Sequence, residues 1–126
     1  MSYDRNAQQY KAQMISTMTQ GELLLLLYDE LVKRLTQAEL ALEKQLFPVF
    51  EASLQRSVEI VEYLDMTLDM QYPISHELTR LYEYFTYELN RAKIGRRAEP
   101  LTHTKEKIME LRDAFRTAQK SGESNR

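Results

Sequence analysis

A chain of 126 residues, 43% hydrophobic and 29% charged, has room for one domain with a real core, and its three glycines and three prolines are too few for a linker or disordered composition. Seventeen basic against nineteen acidic residues leave a formal charge of −2 with the signs interleaved, so no basic face offers the counterion release that nucleic-acid binding depends on. The absence of cysteine excludes disulfides, thiol nucleophiles and cysteine-ligated zinc or iron–sulfur centres.

The polar start, MSYDRNAQQYKAQ, has no apolar stretch to direct secretion, and a cytoplasmic location is the expectation. The longest apolar run, Leu23 to Tyr28, is far shorter than the ~20 residues that span a bilayer. Thr19-Gln-Gly-Glu22 has the form of a capping box, so a first helix is predicted over Gln20 to Lys44, with its apolar stripe at Leu24, Tyr28, Leu31, Leu35, Ala38 and Leu42. Pro48 suits the first turn of a second helix, whose stripe is Phe50, Leu54, Ser57, Val61, Leu64 and Leu68 before a break at Gln71-Tyr72-Pro73. Ser75 is the expected N-cap of a third helix, with Leu78, Leu81, Phe85 and Ala92 on its stripe, Leu89 beside it and Gly95 as its stop. After a polar link from Gly95 to Pro100, Leu101, Thr104, Ile108, Leu111, Phe115 and Ala118 carry the same period a fourth time. No segment alternates with period two. The expectation is an all-α antiparallel four-helix bundle spanning 19–119, preceded by a partly flexible segment 1–18 and followed by a disordered tail 120–126 too polar to pack.

The inventory for catalysis is thin. His76 and His103 do not follow a glutamate at the spacing of di-iron bundles, and His76-Glu77 is not continued by a second histidine because position 80 is Arg. There is no glycine-rich phosphate loop and no Gly-x-Ser-x-Gly elbow. No enzyme, metal or cofactor is expected. Apolar residues beyond what the stripes need are more informative. At 100° per residue, Ile60 lies about 80° off the second stripe, Tyr63 about 140°, and Met66 and Met70 about 160°. In the third helix Tyr84 and Tyr87 share one flank, with Tyr82 on the other; in the first, Leu25 and Val32 share a flank and Leu26 lies opposite the stripe. Three of the four phenylalanines fall on the stripes while most of the eight tyrosines do not, the sorting expected of a wet-edged recognition groove. Methionines beside them add an adaptable surface. The residues favour a binding protein with a groove for a flexible partner; the alternatives are flanks packed irregularly against neighbouring helices and self-association through the second bands.

The same residues resemble the flagellar export chaperone FliS family. Tyr10 followed by Ser16-Thr17-Met18-Thr19, Glu22-Leu23 and Leu27-Tyr28-Asp29 resembles its N-terminal pattern, and Ile60-Val61-Glu62-Tyr63-Leu64-Asp65-Met66-Thr67-Leu68 its middle block. Leu81-Tyr82-Glu83-Tyr84-Phe85 and Leu111-Arg112-Asp113-Ala114-Phe115 resemble its later blocks. The chain departs from the family pattern at Thr19-Gln20, at Tyr72-Pro73-Ile74-Ser75, at Arg96-Arg97 and at Phe115, where the family usually has tryptophan. The resemblance implies a cytoplasmic chaperone that holds the disordered C-terminal segment of flagellin and prevents premature polymerisation. It also implies docking at the export gate protein FlhA, with Tyr10 at the matching position, and a meeting with the regulator FliW. The expected contact residues are Tyr10, Leu25, Leu26, Ile60, Tyr63, Met66, Met70, Tyr82, Tyr84 and Tyr87. The alternative is a self-associating bundle with a structural or regulatory role.

Overall fold

The computed structural model describes residues 8–9 and 19–124 of the chain, with side chains to residue 121. Segment 1–18, expected to be flexible, lies outside the described residues apart from 8–9. Four long helices follow: α1 (Gln20–Glu43), α2 (Phe47–Met66), α3 (Pro73–Gly95) and α4 (Ala98–Ser124). There is no strand among the described residues. Helix α1 packs on α2 and α4, and α3 packs on the same two, so the helices close into an antiparallel ring with α1 diagonal to α3. The fold is an all-α four-helix bundle.

Local chemistry sets the boundaries. The Thr19 hydroxyl accepts from the Glu22 N–H at 3.1 Å, which makes it the N-cap of α1 as its sequence predicts. At the other end of α1, Gln45 takes a left-handed conformation with φ 59°. Its N–H donates to the Leu42 carbonyl at 3.1 Å, and the Leu46 N–H donates to the Ala41 carbonyl at 2.8 Å, a Schellman closure built without glycine. Helix α3 ends alike at Arg96, φ 51°, one residue after Gly95. Arg96 is held in that turn by stacking over the Phe47 ring, 3.8 Å from its centre.

Two helix starts come earlier than the sequence suggests. Pro73 occupies the first turn of α3, where its fixed φ and missing N–H cost nothing, so Tyr72 and not Ser75 is the N-cap. The Ser75 hydroxyl donates instead to the Asp69 carbonyl at 2.6 Å and braces the turn between α2 and α3. Helix α4 begins at Ala98, and Pro100 sits in its first turn, where no intrahelical donor is required. The same helix runs on to Ser124, through most of the polar tail.

The core follows the stripes, with two adjustments. Tyr28, Leu31, Leu35 and Ala38 from α1 meet Phe50, Leu54 and Val61 from α2, and Leu101 and Ile108 from α4. On α3 the buried stripe is Leu78, Tyr82, Phe85, Leu89 and Ala92, so Tyr82 takes the place expected of Leu81, which is only half-buried. The other adjustment is Ile60, expected on an outer flank and found 5% exposed. A helix in a ring faces two neighbours and buries a wider arc than one stripe, and 80° off centre is still inside it. Each fully buried Leu, Ile or Phe contributes about 1.5–3 kcal/mol.

Tyr82 reaches across the diagonal to Tyr28, and the two hydroxyls hydrogen-bond to each other in the interior. Burial raises the Tyr28 phenol far above its ordinary pKa, and the neighbouring Tyr82 raises it further. Burial also raises Tyr82; the bond to Tyr28 lowers it in part, and the charge of Asp65 raises it. Each hydroxyl is the other's means of satisfying a buried polar group.

Gln45→Gly removes the steric cost of a left-handed residue, offset in part by the looser unfolded chain, and is expected to stabilise the bundle by roughly 0.5 kcal/mol in urea denaturation. Tyr82→Phe strands the Tyr28 hydroxyl and is expected to cost about 1–3 kcal/mol, while Tyr28→Phe with Tyr82→Phe costs less than the two single changes summed, as a double-mutant cycle would read. Because both folded phenols have raised pKa values, the pair's stabilisation is complete below pH ~10, where unfolded tyrosines begin to ionise, and declines above it. The double variant should lack that part of the alkaline loss.

Candidate functional site

Helix α4 packs deeply on the core where it begins and less deeply where it ends. Leu101, Thr104 and Ile108 are fully buried, but Leu111 and Phe115 are half-buried and Ala118 is exposed. At this end lie the start of α1, the end of α2 and the start of α3, and between them opens a cleft of about 310 Å³. Leu23, Leu24 and Leu27 of α1 form one wall. Tyr63 and Leu64 of α2, with Leu68 just beyond it, form a second. Leu78 and Tyr82 of α3 and Phe115 of α4 complete the lining, and Gln20, Thr67 and Asp69 stand at its polar edge. Phe115 stacks on Tyr28, ring centres 5.6 Å apart and planes 25° from parallel, so the buried tyrosine pair lies directly behind the cleft.

A shallower groove, also about 310 Å³, continues between α1 and α2 along Leu27, Arg56, Glu59, Ile60 and Tyr63. Leu27 and Tyr63 belong to both, so cleft and groove form one apolar path. The Arg56–Glu59 ion pair at 3.3 Å edges this path and neutralises both charges beside it. An apolar lining with a few polar groups at the edge suits an extended or helical peptide that presents apolar side chains on one face. Among the described residues, no group of three or more His, Asp or Glu is close enough to hold a metal. No helix among them is long and apolar enough to cross a membrane.

The expected contact residues that the structure describes divide into three sets. Ile60, Tyr63 and Tyr82 line the path, but Ile60 and Tyr82, both expected on outer flanks, are buried and present only part of their surface as its floor. Tyr63, 43% exposed, stands at its junction. Leu26, Met66 and Met70 are exposed, Met66 by 76%, without lining it, and Leu25 is half-buried on the flank that Val32 and Glu39 turn toward α4. Tyr84 and Tyr87 are exposed elsewhere on the bundle. Tyr84 lines a separate groove between α3 and α4 with Glu88, Arg91, Glu99, Pro100 and His103. Tyr10 lies outside the described residues.

Sequence reasoning missed Leu23, Leu27, Leu68, Leu78 and Phe115 as surface of the path. Leu24, Leu68, Leu78 and Phe115 sit on the predicted stripes and read as core, and periodicity carries no mark of where a bundle stops being closed. One signal was present: five consecutive leucines, Leu23 to Leu27, exceed what one stripe can use, and Leu23 and Leu27 share a face at i,i+4.

A family model described as flagellar protein FliS matches residues 3–122 of the chain. The flagellar secretion chaperone FliS of Bacillus subtilis (strain 168) is 26% identical over 117 residues, which cover 93% of this chain and 88% of that protein.

Proposed function

The chain belongs to the FliS family of flagellar proteins, and from this we propose that it is a flagellar secretion chaperone, as its Bacillus subtilis relative is named, and that its guest is the disordered C-terminal segment of flagellin. It acts in the cytoplasm as a binding protein: it covers the apolar face of the guest, prevents premature polymerisation and keeps the subunit ready for export. The observation that carries this reading is the apolar path running from the cleft behind Phe115 to the groove beside Ile60, with Tyr63 and Leu27 common to both.

The energetics suit such a guest. Burying apolar surface at about 25 cal/mol per Å² offsets the cost of ordering a flexible segment, and no coupled reaction is needed. Leu27, Ile60, Tyr63, Leu68 and Phe115 form the centre of the proposed contact. Leu25, Leu26, Met66 and Met70 lie around it and extend it, while Tyr82 acts from beneath by holding Tyr28. Tyr84 and Tyr87 are assigned a second stretch of contact on the α3 side. FlhA is the proposed docking partner of the N-terminal segment through Tyr10, and FliW a further partner.

Replacing Tyr63 and Met66 together with aspartate is expected to weaken binding of a flagellin C-terminal peptide by about 2 kcal/mol or more, roughly thirtyfold, as an interface anchor would. The thermal midpoint should barely move, because Met66 is 76% and Tyr63 43% exposed. Isothermal titration and a melting curve on the same preparation check both. Loss of binding on Tyr84→Asp with Tyr87→Asp, but not on the first pair, would move the site to the other face. A dimer that persists on dilution and is broken by the first pair would favour self-association.

A further inference from the structure

The last third of α4 is attached differently from the rest of the bundle. From 101 to 108 the helix is anchored by residues without solvent exposure, Leu101, Thr104 and Ile108. From 111 onward, among the described residues, the hydrophobic side chains packed on the core are Leu111 and Phe115, and both are half-buried. Segments with few buried apolar contacts open locally at lower free energy than the core beside them.

Polar contacts compensate for that thin packing. Asp29 of α1 accepts from the Arg116 guanidinium at 3.2 Å and pairs with Arg112 at 3.6 Å. Arg112 also pairs with Asp113 at 3.2 Å. One helical turn beyond Phe115, Gln119 rests on Gly21, where its carboxamide oxygen lies 2.9 Å from the position a Cβ would take. That contact is made by the flexible end of a side chain. Asp29 therefore holds both arginines that flank Phe115, beside the half-buried part of the helix.

Phe115 is also a wall of the cleft and stacks on Tyr28. We infer that residues 111–121 are a strap, which the Asp29–Arg112–Arg116 clasp closes on the cleft through Phe115 and which lifts from α1 as a unit while the rest of the bundle stays folded. A guest that pushes between Leu24 and Phe115 would work against this clasp, and the width of the cleft would be set by ionic strength. Only this consequence for the guest rests on the chaperone reading.

The test contains no guest, so its failure leaves that reading untouched. Amide hydrogen exchange on the full chain is compared for the native sequence, Asp29→Asn and Asp29→Glu, at low salt and in 1 M NaCl, where the Debye length falls to about 3 Å. Asp29→Asn is expected to speed exchange at 111–121 by roughly three- to tenfold at low salt, with 101–108 unchanged. Asp29→Glu should restore slow exchange, and salt should speed the native protein far more than Asp29→Asn. The chain has no tryptophan, so Phe115→Trp adds a single reporter, whose acrylamide quenching should rise when Asp29→Asn is combined with it. Exchange that is unchanged at 111–121, that rises equally at 101–108, or that rises in Asp29→Asn without any salt response in the native protein would overturn the strap.

Discussion

A helix in a four-membered ring touches two neighbours, and in this bundle the Tyr28–Tyr82 hydroxyl pair crosses the middle of that ring. Tyr28 and Tyr82 stand on diagonal helices and satisfy each other where water does not reach. A buried phenol without a partner costs more than a phenylalanine in the same place, so registers that separate the two rings are disfavoured. The pair thereby favours the observed axial position of α3 against α1, with the cleft in front of it. Phe115 lies against the same Tyr28 ring.

The cleft is a consequence of how the ring ends. Four helices of unequal length joined by short links do not finish in one plane, and the last apolar layer at the open end has fewer partners than its residues can touch. Leu23, Leu24, Leu27, Leu68 and Leu78 contribute to the core and to the surface at once. Such residues would couple binding to stability, since a ligand that covered them would complete a layer that the described residues leave part-exposed. At the opposite end the Schellman turn at Gln45 and the stacked Arg96 close the corners, and Thr102 and Lys105 both reach Glu39, at 2.8 Å and 2.6 Å.

Charge is distributed to serve this plan. Polar contacts join α1 and α4 toward both ends, Glu39 with Thr102 and Lys105 where α4 begins and Asp29 with Arg112 and Arg116 where it ends. The first reinforces a helix already anchored by buried residues. The second holds a helix that is not, and it is open to solvent and therefore to salt.

Helix number, order and approximate limits were legible in the amino-acid sequence, because a stripe at alternating four- and three-residue spacing can be buried in only one way and Thr19, Pro48, Pro73 and Gly95 punctuate it. Membership in a family of known character was legible too, from the order of Glu22-Leu23, Tyr28-Asp29, Ile60 to Leu68 and Leu81 to Phe85. The apolar path was legible in part: Tyr63, off the stripe in the sequence, is exposed at its junction, whereas Tyr82 and Ile60, also off their stripes, are buried. A one-helix wheel counts the angle from a single stripe and cannot know that each helix has two neighbours, nor that a tyrosine hydroxyl on one helix will find its match on another. The pattern along the chain determined which residues are apolar and how they repeat. Only the closure of the ring decided which of them are left half-covered at its open end, because solvent exposure there depends on contacts between residues far apart in sequence.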